Sequence, residues 1–107
     1  MKKTITVMVK RPGEAPVLEL ADNTLECFQE LVGGYIETYP FGKDAVIVCN
    51  EEGKIEGLPY NCALFGEIFV GTIVFVGVDG EEFTDFPISV GTFKNIFKSL
   101  YMEAADE

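Results

Sequence analysis

The run IFVGTIVFVGV at residues 68–78 constrains the fold more than any other stretch. It is too short, and too interrupted by glycine and threonine, to span a membrane. It reads instead as one long strand, with Gly71 marking a bend or bulge within it. Asp79-Gly80 then reverses the chain tightly into EEFTDF. A second run, AVIVC at 45–49, also lacks alternation, so it is expected as a central strand covered on both faces.

Around these runs the chain reads as a small sheet protein. TITVMVKR alternates Ile5, Val7 and Val9 against Thr4, Thr6 and Met8, the pattern of a half-buried strand. RPGEAP turns it into VLELA, giving an opening hairpin. A first helix is expected with Asn23 as its N-cap and Glu26 completing a capping box. Leu25, Phe28, Leu31 and Val32 form its apolar stripe, and Gly33 and Gly34 end it.

YIETY is a short strand with Tyr35, Glu37 and Tyr39 on one face. In NEEGK, Asn50 starts a turn and Gly53 takes the left-handed position of a bulged hairpin. GLPYNCALFGE fits no period. The closing helix lies in PISVGTFKNIFKSLYMEA, capped by Ser89, with Phe93, Ile96, Phe97, Leu100 and Tyr101 recurring on one stripe.

The expected fold class is therefore α+β. Residues 1–107 form a single domain, with a five- or six-stranded, mostly antiparallel sheet and two helices on one face. The order is β-β-α-β-β-β-β-α, and the tail at 103–107 is expected to fray. The face away from the helices is expected to carry Thr, Tyr and Glu.

Charge and histidine content exclude several functions. Eight basic against eighteen acidic residues leave a formal charge of −10, with Lys2, Lys3, Lys10 and Arg11 the one basic cluster. Direct nucleic-acid binding needs a basic stripe and is not expected. The chain has no histidine, which removes Ser-His-Asp and Cys-His machinery and imidazole metal ligands. Cys27, Cys49 and Cys62 lack C-x-x-C spacing and read as structural thiols of a reducing cytoplasm. The stretch Ile5–Val9 is too short for a signal-peptide core, so the chain is expected to be cytoplasmic and off the membrane. No metal, cofactor or catalytic residue is assigned.

Some residues remain as candidates for a site. The acids of DGEEFTD do not match a calcium loop and read as a charged hairpin. Glu37 is the acid with apolar or aromatic neighbours on both sides. Asn61 sits between Tyr60 and Cys62 in the irregular stretch. Its simplest role is to hydrogen-bond backbone and hold the loop. Alternatively Tyr35, Glu37, Tyr60 and Asn61 form a binding site on the bare sheet face. Tyr39, Phe41 and Phe86 lie in or beside Pro-containing loops, and if exposed together they would make a protein interface.

The stretches ELVGGYIETYPF, AVIVCNEEGKIEGLPYNCAL and VGTIVFVGVDGEEF resemble domain-of-unknown-function family 3846, over roughly residues 5–86. The most specific pieces are Gly33–Glu37, Asn50–Lys54 and Gly57–Asn61. Cys62 stands where many relatives of that family carry arginine, and the closing helix diverges. The resemblance implies no reaction, cofactor or partner, only an accessory gene of the kind carried on mobile elements.

The expected function is a non-catalytic protein-binding module. One alternative is a DNA-mimicking inhibitor of a DNA-binding or restriction protein, which requires the carboxylates to form a spaced ridge. The other is a small enzyme or ligand-binding protein using Glu37, Tyr35 and Asn61. A protein is the expected partner, and a homo-oligomer is compatible with the same features.

Overall fold

The structure, a computed structural model, describes residues 3–105, with side chains described through Tyr101. In chain order its elements are β1 (Thr4–Lys10), β2 (Val17–Asp22), α1 (Leu25–Val32), β3 (Ile36–Pro40), β4 (Ala45–Asn50), β5 (Tyr60–Leu64), β6 (Glu67–Val70), β7 (Ile73–Asp79), β8 (Glu82–Thr84), α2 (Val90–Ile96) and α3 (Lys98–Ala105). The class is α+β, as the sequence patterns indicate.

The two unalternating runs become the middle of an antiparallel sheet ordered β2-β1-β7-β4-β3. β7 pairs with β4 along one side, from Val74 opposite Val48 to Gly77 opposite Ala45. Its other side is shared: β1 takes Ile73 to Phe75, and β8 takes Gly77 to Asp79. Where β7 leaves β1, the segment after β8 replaces it. Phe86 N–H donates to Thr6 O at 2.8 Å and Thr6 N–H to Asp85 Oδ1 at 2.9 Å. Gly77 permits that crossing, since a Cβ there would overlap the Asp85 carbonyl oxygen.

Both faces of the central strands β1, β7 and β4 are covered. On one side Phe28 and Val32 of α1 pack on Ile5, Val7, Val9, Val48, Val74 and Val76. On the other, Phe93, Leu100 and the β5–β6 residues Cys62, Leu64 and Phe69 cover Met8, Ile47, Ile73 and Phe75. The expected arrangement, with both helices on one face and the other left polar, is thus corrected. Strands without alternation need apolar cover twice. One side gets α1, the other gets α2, α3 and the β5–β6 flap. Phe41 is at the centre of the second layer, with ring centroids 5.1 Å from Phe75 and 5.3 Å from Phe97.

Several local readings hold and several shift. The opening hairpin, the Asp79-Gly80 reversal and the Ser89 cap are present. Gly33 ends α1 in the left-handed region at φ 82°. The N-cap of α1 is Thr24, whose hydroxyl accepts from Cys27 N–H, while Asn23 donates to Phe83 O. Residues 51–57 form helical turns, not a hairpin, with Glu56 N–H donating to Glu52 O and Gly57, not Gly53, at positive φ.

The long strand expected over 68–78 is two strands in different sheets, broken at Gly71 and Thr72. The irregular stretch contains a two-residue hairpin: Phe65 and Gly66 have φ of 53° and 77°, the left-handed pair that matches strand twist. The closing helix breaks at Phe97 into α2 and α3. α3 carries the backbone to Ala105, and residues 106 and 107 of the tail expected to fray lie outside the described part. Lys10 is buried at 1% exposure, so it adds nothing to a basic surface cluster, and Lys2 lies outside the described residues. No described helix is long and apolar enough to cross a membrane.

Candidate functional site

Asn61 is 3% exposed. Its Nδ2 donates to Lys10 O and Gly71 O, both at 2.7 Å. It therefore fastens the start of the flap to the end of β1 and to the break before β7. This is the backbone-holding role, directed at residues far away in sequence. Gly71 completes the joint at φ 71°, where a Cβ would stand 2.8 Å from Leu58 Cδ1.

The other expected residues are dispersed. Tyr35 is exposed and lines a hollow of about 250 Å³ with Gln29, Gly34, Asn50, Glu52 and Glu56. Glu37 points into a different hollow, and Tyr60 is exposed at the start of β5. Tyr35, Glu37 and Asn61 do not meet. The interface reading of Tyr39, Phe41 and Phe86 is also corrected: Phe41 and Phe86 are buried in the aromatic layer, because α2 and the flap need them as core. Tyr39 is half-buried at the edge of that layer.

The hollow that holds Glu37 is small and partly enclosed. Its volume is about 80 Å³, and it lies between the β3–β4 edge, the 51–57 turn and β6. Antiparallel register sets Glu37 opposite Cys49 and Tyr39 opposite Ile47, so Glu37 and Tyr39 both face the flap. The Tyr39 ring meets Phe69 edge-on at 5.3 Å. Lys54 reaches across from the turn to Glu67 Oε1 at 3.1 Å. Ile55 and Ile68 stand on the rim.

Asn50 builds the turn that brings Lys54 and Ile55 there. Its Oδ1 accepts from Glu52 N–H at 2.8 Å, an Asx turn. Its Nδ2 donates to Val32 O at 3.3 Å and to Glu56 Oε1 at 3.2 Å, tying the turn to the end of α1. The turn also packs tightly on the flap, since a Cβ on Gly53 would lie 3.0 Å from Val70 Cγ2.

Burial and the neighbouring carboxylates set the electrostatics of the hollow. The Tyr39 phenol is pushed up to about 12, first by its hydrogen bond with Glu37, then by burial, with the charge of Glu67 adding. Burial, then Glu37, pushes the Cys49 thiol up to about 11; Lys54 opposes and Glu67 adds. A thiol held that high is protonated at neutral pH and is no nucleophile. A phenol held that high donates a hydrogen bond and does not accept a proton. Among the described residues no group of three or more Cys, Asp or Glu is placed to hold a metal ion.

Sequence reasoning missed Lys54, Ile55, Glu67 and Ile68. Lys54 and Glu67 meet only because the flap folds back onto the turn, and no local pattern encodes that. Ile55 did carry a signal, as a lone large apolar residue among the charges of EEGKIEG.

Residues 5–98 match the model of the domain-of-unknown-function family DUF3846, and the chain belongs to that family. No curated protein and no solved structure matches it. The three stretches that carry the resemblance, Gly33–Glu37, Asn50–Lys54 and Gly57–Asn61, come together as the seam around Asn50, Gly53, Leu58 and Asn61 and as one wall of the hollow.

Proposed function

We propose that this member of the DUF3846 family is a non-catalytic interaction domain that docks a protein partner over the hollow between β3–β4 and β6. The supporting observation is the rim: Ile55 is 86% exposed and Ile68 52% exposed, and they flank a polar-floored depression. Large aliphatic side chains gain nothing by standing in water, and paired around a concavity they mark a docking surface. The protonated Cys49 and Tyr39 support a binding role over a catalytic one. Three free cysteines favour a reducing, cytoplasmic setting.

A second reading has its own observation. Glu26 and Glu30 are exposed on α1; Glu81 and Glu82 line a hollow at its first turn, and Glu52 and Glu56 line one beside Gln29. Six carboxylates thus follow a helix about 12 Å long. Such a line supports imitation of a nucleic-acid backbone toward a DNA-binding protein.

A photo-crosslinking amino acid at position 55, with another at Leu25 on the α1 side, separates the readings. We expect a protein crosslinked from position 55 and lost with Ile68→Asp. A crosslink from position 25 alone, removed by Glu26→Lys, would replace the first reading with the second.

A further inference from the structure

We infer that the hollow receives a cationic side chain of the partner, and that Lys54 of this chain occupies its mouth as an internal competitor. The inference rests on the docking reading above and names what enters the site.

Glu37 on β3 lines the hollow, and Glu67 at the start of β6 reaches its mouth through the 3.1 Å ion pair with Lys54. Glu51 also lines the hollow, and Lys54 is the single cation among its lining residues. The site is therefore net acidic, on a chain of net charge −10 that attracts cations from a distance.

The bound position of Lys54 shows which chemistry the site accepts. Its ammonium is 3.1 Å from Glu67 Oε1, although its side chain remains 60% exposed. An exposed ion pair of this kind is held weakly and is readily exchanged. An incoming ammonium takes over Glu67 and gains Glu37, while Lys54 swings into solvent. The aromatic walls of Tyr39 and Phe69 suit the alkyl stem and the cation. The hollow is small, at about 80 Å³, a size that suits an ammonium head with its last methylenes.

The test is a ¹⁵N–¹H NMR titration of the full chain with Nα-acetyl-lysine N-methylamide, its arginine analogue and its norleucine analogue. We expect the amides of Glu37, Tyr39, Cys49, Lys54 and Ile68 to move with a cationic probe and stay still with norleucine. The cationic probe that moves them assigns the head group as ammonium or guanidinium. Lys54→Met should tighten binding by about twofold to fivefold, the strength of an exposed ion pair. Glu37→Gln, checked for an unchanged fold by the dispersion of the same spectrum, should weaken it. Equal shifts with lysine and norleucine probes overturn the inference. So does a Lys54→Met variant that binds no better than the parent. A crosslink from position 55 without probe binding overturns the cation site and leaves docking standing. Probe binding without any crosslink supports the cation site and overturns docking.

Discussion

Gly34 lies against the carboxamide of Asn50 so closely that a Cβ built on it would stand 2.9 Å from Nδ2. That carboxamide is held in place by Val32 O, Glu56 Oε1 and Glu52 N–H, so it cannot easily give way. We expect Gly34→Ala to destabilise by ~1–3 kcal/mol through overpacking. Asn50→Ala loses buried hydrogen bonds and should cost ~2–3 kcal/mol. Urea unfolding of both single variants and the double variant checks this. The double should cost clearly less than the sum, because without the carboxamide the added methyl has room.

The second prediction concerns the flap joint. Asn61→Ala leaves the Lys10 and Gly71 carbonyls without their buried donor, at a cost of ~2–3 kcal/mol. Hydrogen exchange should rise first in β5 and β6, which are held by this joint. Uniform loss of protection across the main sheet would contradict the fastening role.

The elements legible in the sequence are those whose signals are local. The β1–β2 hairpin, the Asp79-Gly80 reversal, the Gly33 terminus and the Ser89 cap each depend on neighbouring residues alone. The N-cap of α1 fell one residue late because Asn23 and Thr24 are both competent caps, and the contact of Asn23 with Phe83 O decides between them. The Phe65-Gly66 turn was hidden because phenylalanine rarely adopts positive φ; here its ring packs against Phe41 at 5.8 Å. Helix placement on opposite faces was implied by AVIVC, whose second face also had to be covered. The hollow was not legible, because Lys54, Glu67 and Glu37 are joined only by tertiary folding.

The third prediction follows from Cys49. Its folded-state thiol titrates at about 11, against an ordinary 9.0. The group is neutral when protonated and its folded pKa is raised. Its stabilising contribution is therefore complete below pH ~9 and disappears as pH rises through ~11. Two units correspond to about 2–3 kcal/mol. Denaturant midpoints across that window should fall in the parent and fall less in Cys49→Ala. Thiolate absorbance should rise with a midpoint well above that of a free cysteine.

A fourth prediction tests the buried cation. Lys10 is 1% exposed, and its Nζ donates to Arg11 O at 3.2 Å. One carbonyl compensates poorly for the lost hydration of an ammonium. Lys10→Met keeps the stem and removes the charge, so we expect stability to rise by ~1–3 kcal/mol. Calorimetric melting of the two proteins decides it, and a lower midpoint for the variant would refute the expectation.

The central claim is that an acidic, aliphatic-rimmed hollow recruits a basic protein segment. Its most direct measurement is the crosslink yield from position 55, followed from low ionic strength to molar salt in the parent and in Glu37→Lys. We expect the yield to fall steeply as salt screens the carboxylates, and to be lost in Glu37→Lys even at low salt. A yield that persists unchanged in molar salt and in Glu37→Lys would contradict the claim.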